Sequence, residues 1–175
     1  MTKNNYYSGI GSRTTPQDIL EEFKHIGLQL ANSDFILRSG GAKGSDLAFE
    51  YGCDHSNFPN NKEVYLPWKG FNESHSNLIL ETPIPKQVED ICKDIYLRWY
   101  FISDAIKRLH ARNCYQILGQ TLDKPSSFVI CWTDRDENDY GGTMFGIKLA
   151  RKYSIPVYNF YKPMDKIYFY SMMKK

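Results

Sequence analysis

Three short stretches carry the residue types that hold phosphate. The fullest is Ser39-Gly40-Gly41-Ala42-Lys43-Gly44-Ser45-Asp46. Its three glycines let the backbone turn tightly and approach a ligand with no Cβ in the way. Ser39, Lys43 and Ser45 add donors that a plain turn does not need. A helix opening near Asp46 aims its first N–H groups at whatever lies above the turn, and phosphate suits that place. The second stretch is Gly11-Ser12-Arg13; the third runs over residues 133–143, from Thr133 to Gly141-Gly142-Thr143. Arg13, and Arg112 beside Asn113, supply guanidinium groups that grip phosphate with two bonds. The plainer alternatives are glycines that only reverse the chain and arginines in surface ion pairs.

Other residues offer further chemistry. Asp46 and Glu50 stand four apart at a helix start, so both carboxylates can face one crevice. As a pair they suit ribose hydroxyls, or attack and assistance at an anomeric carbon, and are the two catalytic candidates. The alternative is compensation of the helix dipole by Asp46 and a solvated position for Glu50. Asp134, Asp136, Glu137 and Asp139 are hard oxygen ligands of the kind that hold Mg²⁺, or else an exposed polar loop. Trp68 and Phe71 either stack on a base or pack in the core. Lys107, Arg108, His110 and Arg112 are spread around a helix axis and read as a solvated basic face.

The elements that must position these groups follow from periodicity. Tyr6-Tyr7-Ser8-Gly9-Ile10-Gly11-Ser12-Arg13 is a short first strand ending in a small-residue loop. Thr15 then caps a helix with Pro16 in its first position, and Ile19, Phe23, Ile26 and Leu30 form one face of it. Phe35-Ile36-Leu37 is a second strand, and residues 46–53 form a second helix. Val64-Tyr65-Leu66 is a brief third strand, followed by an irregular stretch to Pro85. Ile91, Ile95, Trp99, Ile102, Ile106 and Leu109 keep helical spacing, with a break near Arg98 and a stop at Gly119. Ser127-Phe128-Val129-Ile130-Cys131-Trp132 is a buried central strand. Gly141-Gly142-Thr143 opens a helix that buries Met144, Ile147 and Ala150 and carries Lys148, Arg151 and Lys152 late. Ile155-Pro156-Val157-Tyr158-Asn159 is the last strand, and the aromatic tail over 160–175 fits strand or helix equally.

Strands alternating with helices imply an α/β class: one Rossmann-like domain over 1–175, its parallel sheet covered by helices on both faces. Ligands of such sheets bind beyond the carboxyl ends of the strands, where all three phosphate-type stretches fall. The 175 residues bury one good core. Aromatic content of 15% favours either an aromatic core or stacking on bases. A net charge of +2 argues against a broad nucleic-acid coat or a membrane surface. The cysteines at 53, 92, 114 and 131 form no CxxC pair, and the histidines show no metal spacing, so reduced thiols and a cytoplasmic setting are expected. No apolar run reaches spanning length and the first seven residues lack a signal core.

On Gly11-Ser12-Arg13, residues 39–46 and Gly141-Gly142-Thr143, the chain resembles the SLOG superfamily, which includes DNA-processing protein A and the Lonely Guy phosphoribohydrolases. Arg112-Asn113 resembles the Arg-Asn pair of the former and the Arg-Lys pair of the latter. The resemblance runs over residues 6–159. It implies a nucleotide, or a nucleic-acid phosphate, held in a glycine-lined crevice by Gly11, Ser12, Arg13, Ser39, Gly40, Gly41, Ala42, Lys43, Gly44, Asp46, Arg112, Asn113, Thr133, Gly141, Gly142 and Thr143. Three functions are consistent with it: cleavage of an N-glycosidic bond, sequestration of a nucleotide signal, and binding of single-stranded DNA. Homo-oligomers are common among such proteins. The catalytic glutamate of the Lonely Guy pattern falls on Gly146 here.

Overall fold

The computed structural model describes residues 5–136 and 138–174. Six strands, β1 (Tyr6–Gly9), β2 (Ile36–Ser39), β3 (Lys62–Leu66), β4 (Leu78–Ile79), β5 (Phe128–Cys131) and β6 (Val157–Asn159), form one parallel sheet. Their spatial order is β4-β3-β2-β1-β5-β6. The chain therefore works outward from β1 through β2 and β3, then crosses back to place β5 on the other side of β1. The carboxyl ends of β1 and β5 flank the point where that direction reverses, which is where a doubly wound sheet opens a crevice.

Six helices cover the sheet: α1 (Gln17–Asn32), α2 (Ser45–Asp54), α3 (Lys86–Ile95), α4 (Asp104–Leu118), α5 (Gly142–Lys152) and α6 (Pro163–Met173). Strand side chains alternate between two cores. Tyr7, Leu37, Phe128 and Ile130 pack on one face against Phe23 of α1, Phe49 of α2 and Phe169 of α6. Val129 and Cys131 pack on the other against Cys92 of α3, Ile117 of α4 and Phe145 of α5. Phe23 stacks on Phe49 at 4.3 Å and Tyr7 on Phe128 at 5.8 Å, so much of the aromatic content builds the first core. On the α4 side Arg38 is buried, its Nε 2.9 Å from Glu63 and its guanidinium 3.9 Å from the Tyr6 ring centroid. The four cysteines are free and buried.

Several expectations are revised. Thr15 does not cap α1: its hydroxyl donates to Ser12 O at 2.7 Å and lies 2.8 Å from Ser45 Oγ, while Pro16 takes the cap position. The two-residue β4, too short for any periodicity, lies inside the stretch that read as irregular. β2 and β3 extend two residues C-terminally and N-terminally of the apolar runs that announced them, because Arg38, Ser39, Lys62 and Glu63 join the ladder. The break expected near Arg98 is present, as a 3₁₀ turn at Trp99–Phe101 that divides the long helical pattern into α3 and α4. The tail is helical, held to α1 by Glu22, which accepts from Lys166 Nζ and Tyr170 Oη at 2.6 Å each. Among the described residues no helix is long and apolar enough to cross a membrane.

Candidate functional site

The loop after β1 is the floor of a cleft of about 570 Å³ at the β1/β5 carboxyl ends. Gly11, Ser12 and Arg13 line it from below. Thr133, Gly141, Gly142 and Thr143 line it from the β5–α5 connection. Arg112 and Asn113 reach it from α4, and Ala42 and Asp46 from the loop after β2. The three stretches thus converge on one cavity of a size that suits small molecules. Ser39, Gly40, Gly41, Lys43, Gly44 and Glu50 are not part of its lining.

The glycine loop is folded by its own carboxylates. Gly40 N–H donates to Asp46 Oδ2 at 3.0 Å, and Gly41 N–H donates to Glu50 Oε1 at 2.9 Å. Ser39 Oγ donates to the same Glu50 oxygen at 2.6 Å. Two backbone donors expected to face a ligand are therefore engaged within the protein. The glycines serve close packing instead. Arg112 Nη1 donates to Gly40 O, and a Cβ on Gly40 would collide with that guanidinium. A Cβ on Gly44 would lie 2.5 Å from Ser12 O, so the β1 and β2 loops are in direct contact. Lys43 is exposed beside them.

Burial sets the electrostatics here. It pushes Asp46 up to about 6, opposed by the Arg112 guanidinium and by N–H bonds from Gly40 and Ala42. It pushes Glu50 up to about 7, opposed by Ser39 and reinforced by the Asp46 charge. Arg112 is buried with its Nη1 3.9 Å from Asp46 Oδ2, and desolvation lowers it. Its Nε has no hydrogen-bond partner among the described residues. Arg13 and Arg135 lie exposed on the rim, so among the described residues the charged lining is three arginines against Asp46.

Opposite the floor, α5 begins with Gly141 in the cap position and no side-chain cap. Its first turn holds no acidic residue, whereas the other five helices each carry one there. Its leading N–H groups and positive dipole end open on the cleft. Asn113 Nδ2 donates to Gly142 O at 3.0 Å and fixes that helix start. Thr133 is held through its N–H to Asn159 Oδ1 at 3.0 Å, and Asn159 Nδ2 donates back to Thr133 O at 2.9 Å. The role of Asn159 had no signature, since it depends on β6 lying beside β5. Gly146 packs against Ile10: a Cβ there would stand 2.7 Å from Ile10 Cδ1, so a larger residue requires the Ile10 side chain to shift.

The expected basic face on α4 is corrected. His110 and Arg112 are buried, and Arg108 donates to the carbonyls of Pro67 and Leu80 at 2.8 Å each. His110 lines the cleft and stacks on Phe145 at 5.0 Å, with burial and Arg112 pulling it down to about 4. Arg135 and Tyr140, inside the 133–143 stretch but not singled out within it, also line the cleft, as does Tyr96, which carried no sequence signal because only the fold brings it there. Trp68 and Phe71 lie outside it, and Phe71 is buried against Val64 and Leu66. In the acidic loop Asp136 Oδ1 accepts from Asn138 N at 3.0 Å and Asp139 Oδ2 from Asp136 N at 3.1 Å. Among the described residues no three His, Cys, Asp or Glu side chains gather as a metal site, and Glu137 lies outside those residues.

A scan against models of known protein families finds no match, and a search of curated proteins finds no relative. A solved structure of DNA processing protein A from Helicobacter pylori, a single-stranded DNA-binding protein, is similar in fold, with a TM-score of 0.55 and 19% identity. The match covers 88% of this chain and 64% of that one. At that identity the likeness is one of fold.

Proposed function

We propose that the cleft binds a nucleotide or nucleotide-derived ligand through its phosphate, held between the α5 N-terminus and Arg13. The observation that carries this reading is the start of α5. It is the helix start without a carboxylate, and it opens on a cavity whose lining holds three arginines and one aspartate. Backbone N–H groups, a helix dipole and a guanidinium together favour an anion with several acceptor oxygens. Thr143 adds a hydroxyl to the lining, as does Ser12, whose Oγ also lies 2.8 Å from Thr14 Oγ1.

Binding without base release is the form of this function we favour. Glu50 lies outside the cleft with its Oε1 engaged by Ser39 and Gly41, and Asp46 holds the glycine loop. Gly146 offers no carboxylate at the position of the Lonely Guy glutamate. A second reading, recognition of single-stranded DNA, draws on the fold likeness to DNA processing protein A.

Calorimetry with inorganic phosphate, nucleoside mono-, di- and triphosphates, ADP-ribose and oligothymidylate tests these readings, with chromatography of each mixture to detect free base. Saturable binding of nucleotides is expected, with ligand recovered intact. Arg13→Ala should weaken it about 10- to 100-fold, the usual worth of hydrogen bonds to a charged group. No binding by any phosphate compound would remove the proposal; released base would make the protein an enzyme.

A further inference from the structure

The cleft is chemically graded along α4. Ile106, Leu109 and His110 stand at helical i, i+3 and i+4 and line its outer end, while Arg112, Asn113 and Gln116 line the inner end beside the α5 start. Met144 adds to the apolar side. Over the outer end, two segments from different parts of the chain meet. Tyr96, which ends α3, and Tyr140, from the β5–α5 loop, touch edge to face with centroids 5.1 Å apart. Tyr96 also leans on His110 at 4.8 Å, and His110 stacks on Phe145, so the bridge continues a column of rings rooted in the core. Tyr140 is held further by Arg98 at 4.9 Å and Lys148 at 5.5 Å from its ring, and its carbonyl accepts from Arg135 Nη1 at 2.9 Å.

We infer that Tyr96 and Tyr140 are the base-stacking residues of this cleft, and that their bridge restricts it to a single nucleotide. The inference rests on the phosphate reading above: with phosphate at the inner end, the rest of the ligand extends toward Ile106, Leu109, His110 and the tyrosine bridge. That end presents aliphatic and aromatic surface with no lining carboxylate or arginine on α4 before Arg112. His110 is uncharged at neutral pH, because burial draws it down to about 4. An uncharged, flat body that stacks on rings and buries its faces is what this end accepts, and a nucleobase has that chemistry. A bare sugar phosphate would leave the apolar end unfilled. A polynucleotide would have to continue past Tyr96 and Tyr140, where the two rims are in contact.

Calorimetry compares ribose 5-phosphate, the four ribonucleoside monophosphates and oligothymidylate on the wild-type protein and on Tyr140→Ala, Tyr140→Phe and Tyr96→Ala. Monophosphates should bind at least about tenfold more tightly than ribose 5-phosphate, the size of effect that base–aromatic stacking gives. Tyr140→Ala should abolish that difference, and a thermal unfolding midpoint within a few degrees of wild type excludes a general loss of fold. Tyr140→Phe should retain the difference. Equal affinity for ribose 5-phosphate and the monophosphates in the wild type would overturn the inference and leave the phosphate reading standing. Oligothymidylate binding more tightly than any monophosphate would also overturn it. Failure of every phosphate compound to bind would remove both.

Discussion

Glu50 is a buried carboxyl whose hydrogen bonds survive protonation, and this makes it the residue through which pH acts on the fold. Its Oε1 accepts from Ser39 Oγ and Gly41 N–H, and the second oxygen remains free to carry a proton. Burial raises it from 4.5 to about 7, and Asp46 moves the same way, from 3.8 to about 6. Between the unfolded and folded values these two carboxyls therefore bind more protons in the folded protein than in the unfolded chain. Stability from these groups is fully present below the unfolded values and declines as pH rises through the folded ones. Glu50→Gln keeps both acceptor bonds and removes the ionisation. It should be more stable than wild type above pH 7 by on the order of 1–3 kcal/mol, with the gap closing toward pH 4.5. Urea unfolding of both proteins across that range reads the difference, and a gap independent of pH would contradict the account. Among single residues, Asp46 was legible as a cleft residue because of its place at a helix start. Glu50, which shared that expectation, lies outside the cleft because its carboxylate is turned under the loop, onto Ser39 and Gly41.

At the level of elements, the glycine loop is shaped by α1 and α2 as much as by its own sequence. α2 can lie against α1 because both carry a glycine at the contact. A Cβ on Gly27 would lie 2.5 Å from Phe49 O, and one on Gly52 would overlap Lys24 O and stand 2.8 Å from Leu28 N. These are backbone atoms, which cannot swing aside as a side chain can. Gly52→Ala should therefore destabilise the protein by about 3 kcal/mol or more, despite the better helix propensity of alanine. Thermal unfolding measures it, and a rise in midpoint would show that the helices separate easily. The same packing sets Ser45 against Thr15 and Gly44 against Ser12, joining the first two loops. Apolar periodicity located α1 and α2 but carried no information on how closely their backbones approach. For α3 and α4 the break near Arg98 was legible, but its form, a 3₁₀ turn at Trp99–Phe101 after an α3 that ends at Ile95 and leaves Tyr96 at the cleft, was not.

For the whole molecule, a net charge of +2 is distributed so that the cleft is positive while the surface elsewhere is balanced. Exposed pairs such as Lys86–Asp90 and Lys24–Glu21 neutralise much of the remaining charge. A ligand with one or two phosphates then displaces few ions. The logarithm of its binding constant should fall with the logarithm of salt concentration at a slope of magnitude below about 2, against a much steeper slope for a strand held along several phosphates. Calorimetry over a salt series distinguishes them.

The sequence by itself determined the parallel α/β class, the alternation of strands and helices, and the three loops that meet at one end of the sheet. Those features are local: glycine spacing, short apolar runs and helical periodicity are each written within about a dozen residues. Tertiary structure alone decided which donors in those loops remain available. Gly40 and Gly41 have their N–H groups taken by carboxylates, while the start of α5 is left without one. It also buried His110 and Arg112 and brought Tyr96 onto Tyr140 across 44 positions of chain. The physical reason is that hydrogen-bond donors and burial are shared between elements distant in sequence, so their final partners depend on how those elements pack.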